Sequence, residues 1–168
     1  MTDRSVIQDT FAIERVYTAA LSRVFAAFAS AEAKAGWGAI SGRELDREAS
    51  FQEFDFRPGG RERFAFKMRG MTYRYNALYY DIVPDQRIVY SYEMYAEDAR
   101  ISVSVATIEF AKSGSDTVLT WTEHGVYLDG IDGAQAPTMR VGGTSKLLDS
   151  LTQYLQRTRS DAGTVRAS

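Results

Sequence analysis

At 168 residues, 45% of them hydrophobic, the chain is long enough for one domain with a sizeable core and too apolar to be disordered. With 20 basic against 22 acidic residues, its net charge of −2 gives no electrostatic footprint for nucleic acid, and the absence of cysteine excludes disulfides, thiolate metal sites and cysteine nucleophiles. The polar start MTDRSVIQDT lacks an apolar signal core, and no apolar run reaches the ~20 residues that span a bilayer, so a cytoplasmic protein is expected.

The first element is a strand. In TFAIERVYT, residues 10–18, Phe11, Ile13 and Tyr17 alternate on one face, and Arg15 shares that face by parity. ALSRVFAAF then switches to helical spacing, with Leu21, Val24, Phe25 and Phe28 on one stripe, and SAEAKAGWG predicts a second short helix ending at Gly36 or Gly38. From Ser50 to Val126 the period is two. Phe54 and Phe56 share a face, as do Phe64, Phe66 and Met68; so do Tyr73, Tyr75, Ala77 and Tyr79, then Ile88, Tyr90, Tyr92 and Met94. Ser104, Ala106, Ile108 and Phe110 follow, then Leu119, Trp121 and Glu123. These are six further strands, and the short turns between them predict antiparallel neighbours.

Between two alternating runs lies EFDFRPGGRERF, residues 53–64. A phosphate-binding glycine loop leads into a helix N-terminus, whereas Gly60 leads into RERFAFKM at strand period, and no Lys-Ser/Thr pair follows. Pro58-Gly59-Gly60 is therefore read as a hairpin turn. After DGIDGAQAP the period becomes helical again: Leu147, Leu148, Leu151, Tyr154 and Leu155 share a face behind Gly142-Gly143 and a candidate N-cap, Thr144. That helix is expected to end near Arg159, with residues 160–168 a flexible polar tail. No repeat or linker interrupts the chain, so it reads as a single domain, 1–168, with its core at about 10–158.

An antiparallel sheet must bury one face, and the C-terminal helix is the long element available to cover it. The expected fold is α+β, a helix-grip: a curved seven-stranded antiparallel sheet around a long C-terminal helix, with two short helices after the first strand. FAIERVYTAALSRVFAAF, EFDFRPGGRERF, YYDIVPDQRIVYSYEM, LTWTEHGVYLDG and GGTSKLLDSLTQYL, in this order over residues 10–158, together resemble the SRPBCC, or START-like, superfamily. They are most similar to the bacterial branch named for the activator of heat-shock chaperone ATPase. Many members carry a Trp after Gly near the start of the last helix, where this chain has Gly142-Gly143-Thr144; the VYLDGIDGAQAPTM loop is long, as in one subgroup. The resemblance implies an internal pocket for hydrophobic or amphipathic small molecules. Within the superfamily it also admits cyclases, dehydratases and hydroxylase subunits, and the branch name implies chaperone activation. None of these functions follows from the fold alone.

Candidate site residues follow from parity. Glu123 shares a face with Leu119 and Trp121, so its carboxylate points inward and needs a partner or a raised pKa. It is either a polar anchor or general base in a pocket, or half of a structural ion pair with Arg15 on the neighbouring first strand. Tyr73, Tyr75, Tyr79, Tyr90 and Tyr92 on the inner face read as a pocket wall with hydrogen-bonding tips, or as a core whose hydroxyls reach the rim. Phe54 and Phe66 extend that face, and Ser102 and Ser104 are small and polar where bulk would fill space. Trp37 and Trp121 stack on a flat ligand or pack the core. Met139, as part of a lid, closes the far wall with Leu147, Leu151 and Leu155, or these residues make simple helix-to-sheet packing.

His124 faces outward as the only histidine, with no second metal ligand at a useful spacing. Arg57, Arg61, Arg63, Lys67, Arg69 and Arg74 read as a solvated sheet face. No metal and no cofactor are expected. The leading expectation is small-molecule binding. The alternatives are a cyclase, dehydratase or hydrolase with Glu123 as acid or base, and a chaperone-interacting or other protein-interaction module. A homodimer is compatible with each, whereas nucleic-acid and membrane partners are not expected.

Overall fold

The computed structural model describes residues 4–38 and 51–164. Strand β1 (Val6–Tyr17) leads into the short helices α1 (Leu21–Ala26) and α2 (Ala31–Trp37). Six strands follow: β2 (Phe51–Phe54), β3 (Arg61–Met68), β4 (Met71–Val83), β5 (Arg87–Ala96), β6 (Ala99–Ser113) and β7 (Asp116–Leu128). Helix α3 (Ala136–Thr164) closes the order. The strands form one antiparallel sheet in the order β1-β7-β6-β5-β4-β3-β2. This is the helix-grip architecture, with the first and last strands side by side.

Turn chemistry explains why each strand folds back on its predecessor. Arg69 and Gly70, both at positive φ (53° and 77°), make a two-residue turn that pairs Met68 with Met71. Such left-handed turns match the twist of the strands they join. Gly59 at φ 81° turns the 55–60 loop between β2 and β3, confirming the hairpin over the phosphate loop. A side chain at Gly60 would meet the Asp55 carbonyl oxygen at 2.0 Å.

Helix α3 begins nine residues earlier than the Thr144 cap predicts. Pro137 sits in its first turn, where a missing N–H costs nothing, so Gly142, Gly143 and Thr144 all lie inside the helix. It also continues through Thr164, into the segment expected as tail. Positions 165–168 of that tail lie outside the described residues.

The two halves of α3 have different neighbours. Leu148, Leu151 and Leu155 are buried in a core with Val24, Phe25 and Phe28 from the α1 region and Ile108, Phe110 and Leu119 from the sheet. Polar ties hold this half in place. The Tyr17 hydroxyl donates to the Leu148 carbonyl at 3.1 Å, and Arg23 donates to the Leu155 carbonyl and, at 2.7 Å, to Thr158 Oγ1. The half from Ala136 to Leu147 stands over the aromatic part of the sheet.

Helix α2 packs against α3 at Gly36, where an added Cβ would lie 2.7 Å from Tyr154 Cε2. Gly36→Val is expected to cost about 1–3 kcal/mol in urea denaturation. Most of that cost should disappear in a Tyr154→Leu background; an equal cost in both backgrounds would place its origin elsewhere.

Candidate functional site

Beneath the N-terminal half of α3 lies a cavity of about 270 Å³, equivalent to roughly nine waters at liquid density. Its floor is built from cross-strand aromatic pairs. Phe64 stacks on Tyr75 (centroids 4.7 Å apart, planes at 23°) and Phe66 on Tyr73 (5.4 Å, 14°), each directly opposite its partner in the β3–β4 register. Tyr75 continues to Tyr92 at 5.0 Å. Met139, Gly143 and Leu147 of α3 form the roof, with Trp37 and Trp121 as walls. Trp37 is only 1% exposed and also serves the core: its indole N–H donates to the Ala27 carbonyl at 2.7 Å, and its ring meets Phe28 edge-on.

Two buried ion pairs flank this floor. Arg140 of α3 reaches down to the fully buried Glu123, Nη1 lying 3.1 Å from Oε1. The same Nη1 contacts Tyr92 Oη at 2.7 Å and Ser104 Oγ at 3.1 Å, while Nη2 donates to Ser102 Oγ at 2.8 Å and contacts Met94 Sδ at 3.7 Å. Glu123 also accepts from Tyr92 Oη at 2.6 Å and from Trp121 Nε1 at 3.2 Å. At the other end, Lys34 of α2 donates to both oxygens of buried Glu62, at 3.0 and 2.8 Å, and the Tyr79 hydroxyl donates to the same carboxylate. Glu62, Ala77, Tyr92, Ser104 and Gly125 are successive opposite partners across five strands. Strand spacing therefore puts Glu62 and Ser104 on the order of 14 Å apart.

Burial, foremost, and then neighbouring phenols and carboxylates raise the pKa of Tyr75 and Tyr90 well above the ordinary phenol value. Burial likewise raises Tyr79 and Tyr92, so these side chains act as neutral donors. Burial opposes the charge of Arg140, but Tyr92, Glu123 and Tyr127 outweigh it and hold the guanidinium above its usual range.

The cavity brings together most of the expected site residues: Trp37, Phe66, Tyr73, Tyr75, Tyr90, Tyr92, Trp121, Met139 and Leu147. Others fall outside its lining. Phe54 stacks on Phe56, Tyr79 stands behind Glu62, Leu151 is in the core, and Ser104 is engaged by Arg140. The expected Arg15–Glu123 pair does not form. Parity and strand adjacency were right, but Arg15 lies opposite Leu119 and Glu123 opposite Phe11. Four residues separate the two positions along the ladder, ~13 Å. Arg15 instead donates to Ser145 Oγ at 2.6 Å and lies 3.6 Å from Asp149 on α3. Both oxygens of Glu123 accept hydrogen bonds from inside the wall, and Glu123 is not among the residues that line the cavity. His124 faces outward, as expected, in a 2.9 Å hydrogen bond with Thr10 Oγ1. The arginines and Lys67 of the outer face are exposed.

The sequence alone does not single out Arg140, Glu62, Lys34 or Tyr127 as site residues. Arg140 is hidden because the Gly142-Gly143 pair reads as the helix boundary. Glu62 shares parity with Phe64 and Phe66, and Tyr127 with Trp121 and Glu123, so alternation carried a signal for both.

Arg140→Met leaves Glu123 buried without its cation and is expected to destabilise the fold by about 3–5 kcal/mol. Arg140→Met with Glu123→Gln should recover most of that loss in denaturant titrations. A single variant as stable as the wild type would contradict the pairing.

In comparisons with known proteins, the family model for Activator of Hsp90 ATPase homolog 1-like protein matches residues 18–156. No curated protein matches the chain in sequence. Among solved structures, an uncharacterized protein from Rhizobium leguminosarum is 39% identical with a TM-score of 0.84, over 93% of this chain and 99% of that one. The Mll3558 protein from Rhizobium loti is 41% identical with a TM-score of 0.77, over 89% and 99% of the two chains. Protein CV1439 from Chromobacterium violaceum is 25% identical, TM-score 0.69, over 86% and 94%. Family model and similar structures agree: the chain belongs to the Activator of Hsp90 ATPase homolog 1-like family, an SRPBCC-type group.

Proposed function

We propose that the protein binds a small apolar or amphipathic molecule in the cavity under α3. The observation that carries this reading is the roof. Gly142 and Gly143 stand in consecutive positions of a helix, at a cost of about 1 kcal/mol each relative to alanine. Gly143 borders the cavity, and a Cβ added there would meet no heavy atom within 4 Å. A helix under selection for packing alone would fill that position. Here glycine leaves room above an aromatic floor, and the charged groups at its two ends are paired with each other. Affinity would come from apolar area removed from water, about 25 cal/mol per Å² before ordering costs. The partner in this reading is the small molecule itself.

N-phenyl-1-naphthylamine, a neutral fluorescent probe, tests this directly. The wild type is expected to bind one equivalent with a blue-shifted emission. Gly143→Trp should abolish binding while the denaturation midpoint stays at or above that of the wild type. Absence of probe binding by the wild type, or undiminished binding by Gly143→Trp, would overturn the reading.

A further inference from the structure

We propose that the bound molecule is neutral and carries a hydrogen-bond acceptor, such as a carbonyl oxygen, that receives the Tyr127 hydroxyl proton. The inference rests on the cavity being a ligand site and specifies what that site selects.

Tyr127 borders the cavity and is only 4% exposed. Among the described residues, its Oη is a buried side-chain polar atom with no hydrogen-bond partner. Such a group costs free energy unless something satisfies it. Its placement depends on Gly125, two residues back on the same face of β7. A Cβ there would lie 2.9 Å from Tyr127 Oη and 3.1 Å from Cζ, so the missing side chain lets the ring lie back along the strand.

The neighbouring polar groups are already committed to one another. Arg140 stands 5.3 Å from the Tyr127 ring centroid, with Nη1 shared among Tyr92, Ser104 and Glu123 and Nη2 directed to Ser102 and Met94. Both oxygens of Glu123 accept hydrogen bonds. Ser102 and Ser104 accept from Arg140 and keep their own hydroxyl hydrogens, but among the described residues of this cluster the Tyr127 oxygen is the one with no hydrogen-bond partner at all. Burial, foremost, raises its pKa and keeps it protonated. A guanidinium over a phenol ring withdraws electron density, which strengthens the hydroxyl as a donor and weakens it as an acceptor.

Charge decides against an anionic ligand. Arg140 cancels Glu123 and Lys34 cancels Glu62 within the wall. Among the described residues near Tyr127, the carboxylates beyond those pairs are Asp132, on the cavity lining, and Asp9, opposite Gly125 in the β1–β7 register and felt electrostatically by Tyr127. A carboxylate ligand would face both, and an ammonium group offers no acceptor.

The test compares 2-acetylnaphthalene, 2-isopropylnaphthalene and 2-naphthoate, each measured by displacement of N-phenyl-1-naphthylamine from the full chain. Tyr127→Phe is expected to weaken the ketone about tenfold and to change the hydrocarbon less than twofold. The wild type should bind the ketone more tightly than the naphthoate. Without ligand, Tyr127→Phe should melt no lower than the wild type, because the hydroxyl it removes has no internal partner. Equal effects on ketone and hydrocarbon, tighter binding of naphthoate, or a lowered melting temperature would each overturn the assignment. If the hydrocarbon binds and the ketone shows no Tyr127 dependence, the assignment fails and the cavity reading stands. If none of the probes binds, both fail.

Discussion

The space under α3 depends on one interaction, the Arg140–Glu123 pair. A charged guanidinium and a carboxylate taken out of water require close partners, and here each finds them in the other and in a cage of Tyr92, Ser102, Ser104 and Trp121. Arginine is suited to this role because its planar fork can serve several acceptors at once. The side chain reaches from helix to sheet, so the pair acts as a strut of fixed length. The helix cannot settle onto the aromatic floor without breaking it. Its other half packs directly, through Leu148, Leu151 and Leu155, with Tyr17 and Arg15 of β1 tied to it beside that contact.

The strut would be of little use if the surrounding positions were large. Ser102, Ser104, Gly125 and Gly143 are all small, and they lie on three separate elements facing the same region. Stacked phenol and phenyl rings supply a flat floor, and the Lys34–Glu62 pair with Tyr79 forms the second polar end. The result is an apolar middle between two internally neutralised poles. Such an arrangement favours a molecule held by shape and dispersion, with one directional hydrogen bond to orient it.

Much of this was legible in the sequence because strand parity is strict. Alternation placed Phe66, Tyr73, Tyr75, Tyr90, Tyr92 and Trp121 on one inner face, and they line the cavity together. Parity says which face a side chain takes but not how far along the strand it sits, so Arg15 was matched to Glu123 when register separates them by four residues. Arg140 was illegible for another reason. Two glycines normally mark a helix end, and here they are interior positions whose emptiness is part of the site. The true start, at Ala136-Pro137, lay within a stretch rich in Asp and Gly that reads as loop.

A crystal structure determined under xenon pressure tests the central claim most directly, because xenon enters apolar space without demanding a specific ligand. The account expects xenon density between the Phe66–Tyr75 floor and the Met139–Leu147 roof, with the Arg140–Glu123 pair intact beside it. A structure in which α3 has closed onto the floor, or in which Arg140 has left Glu123 and xenon finds no site there, would contradict it.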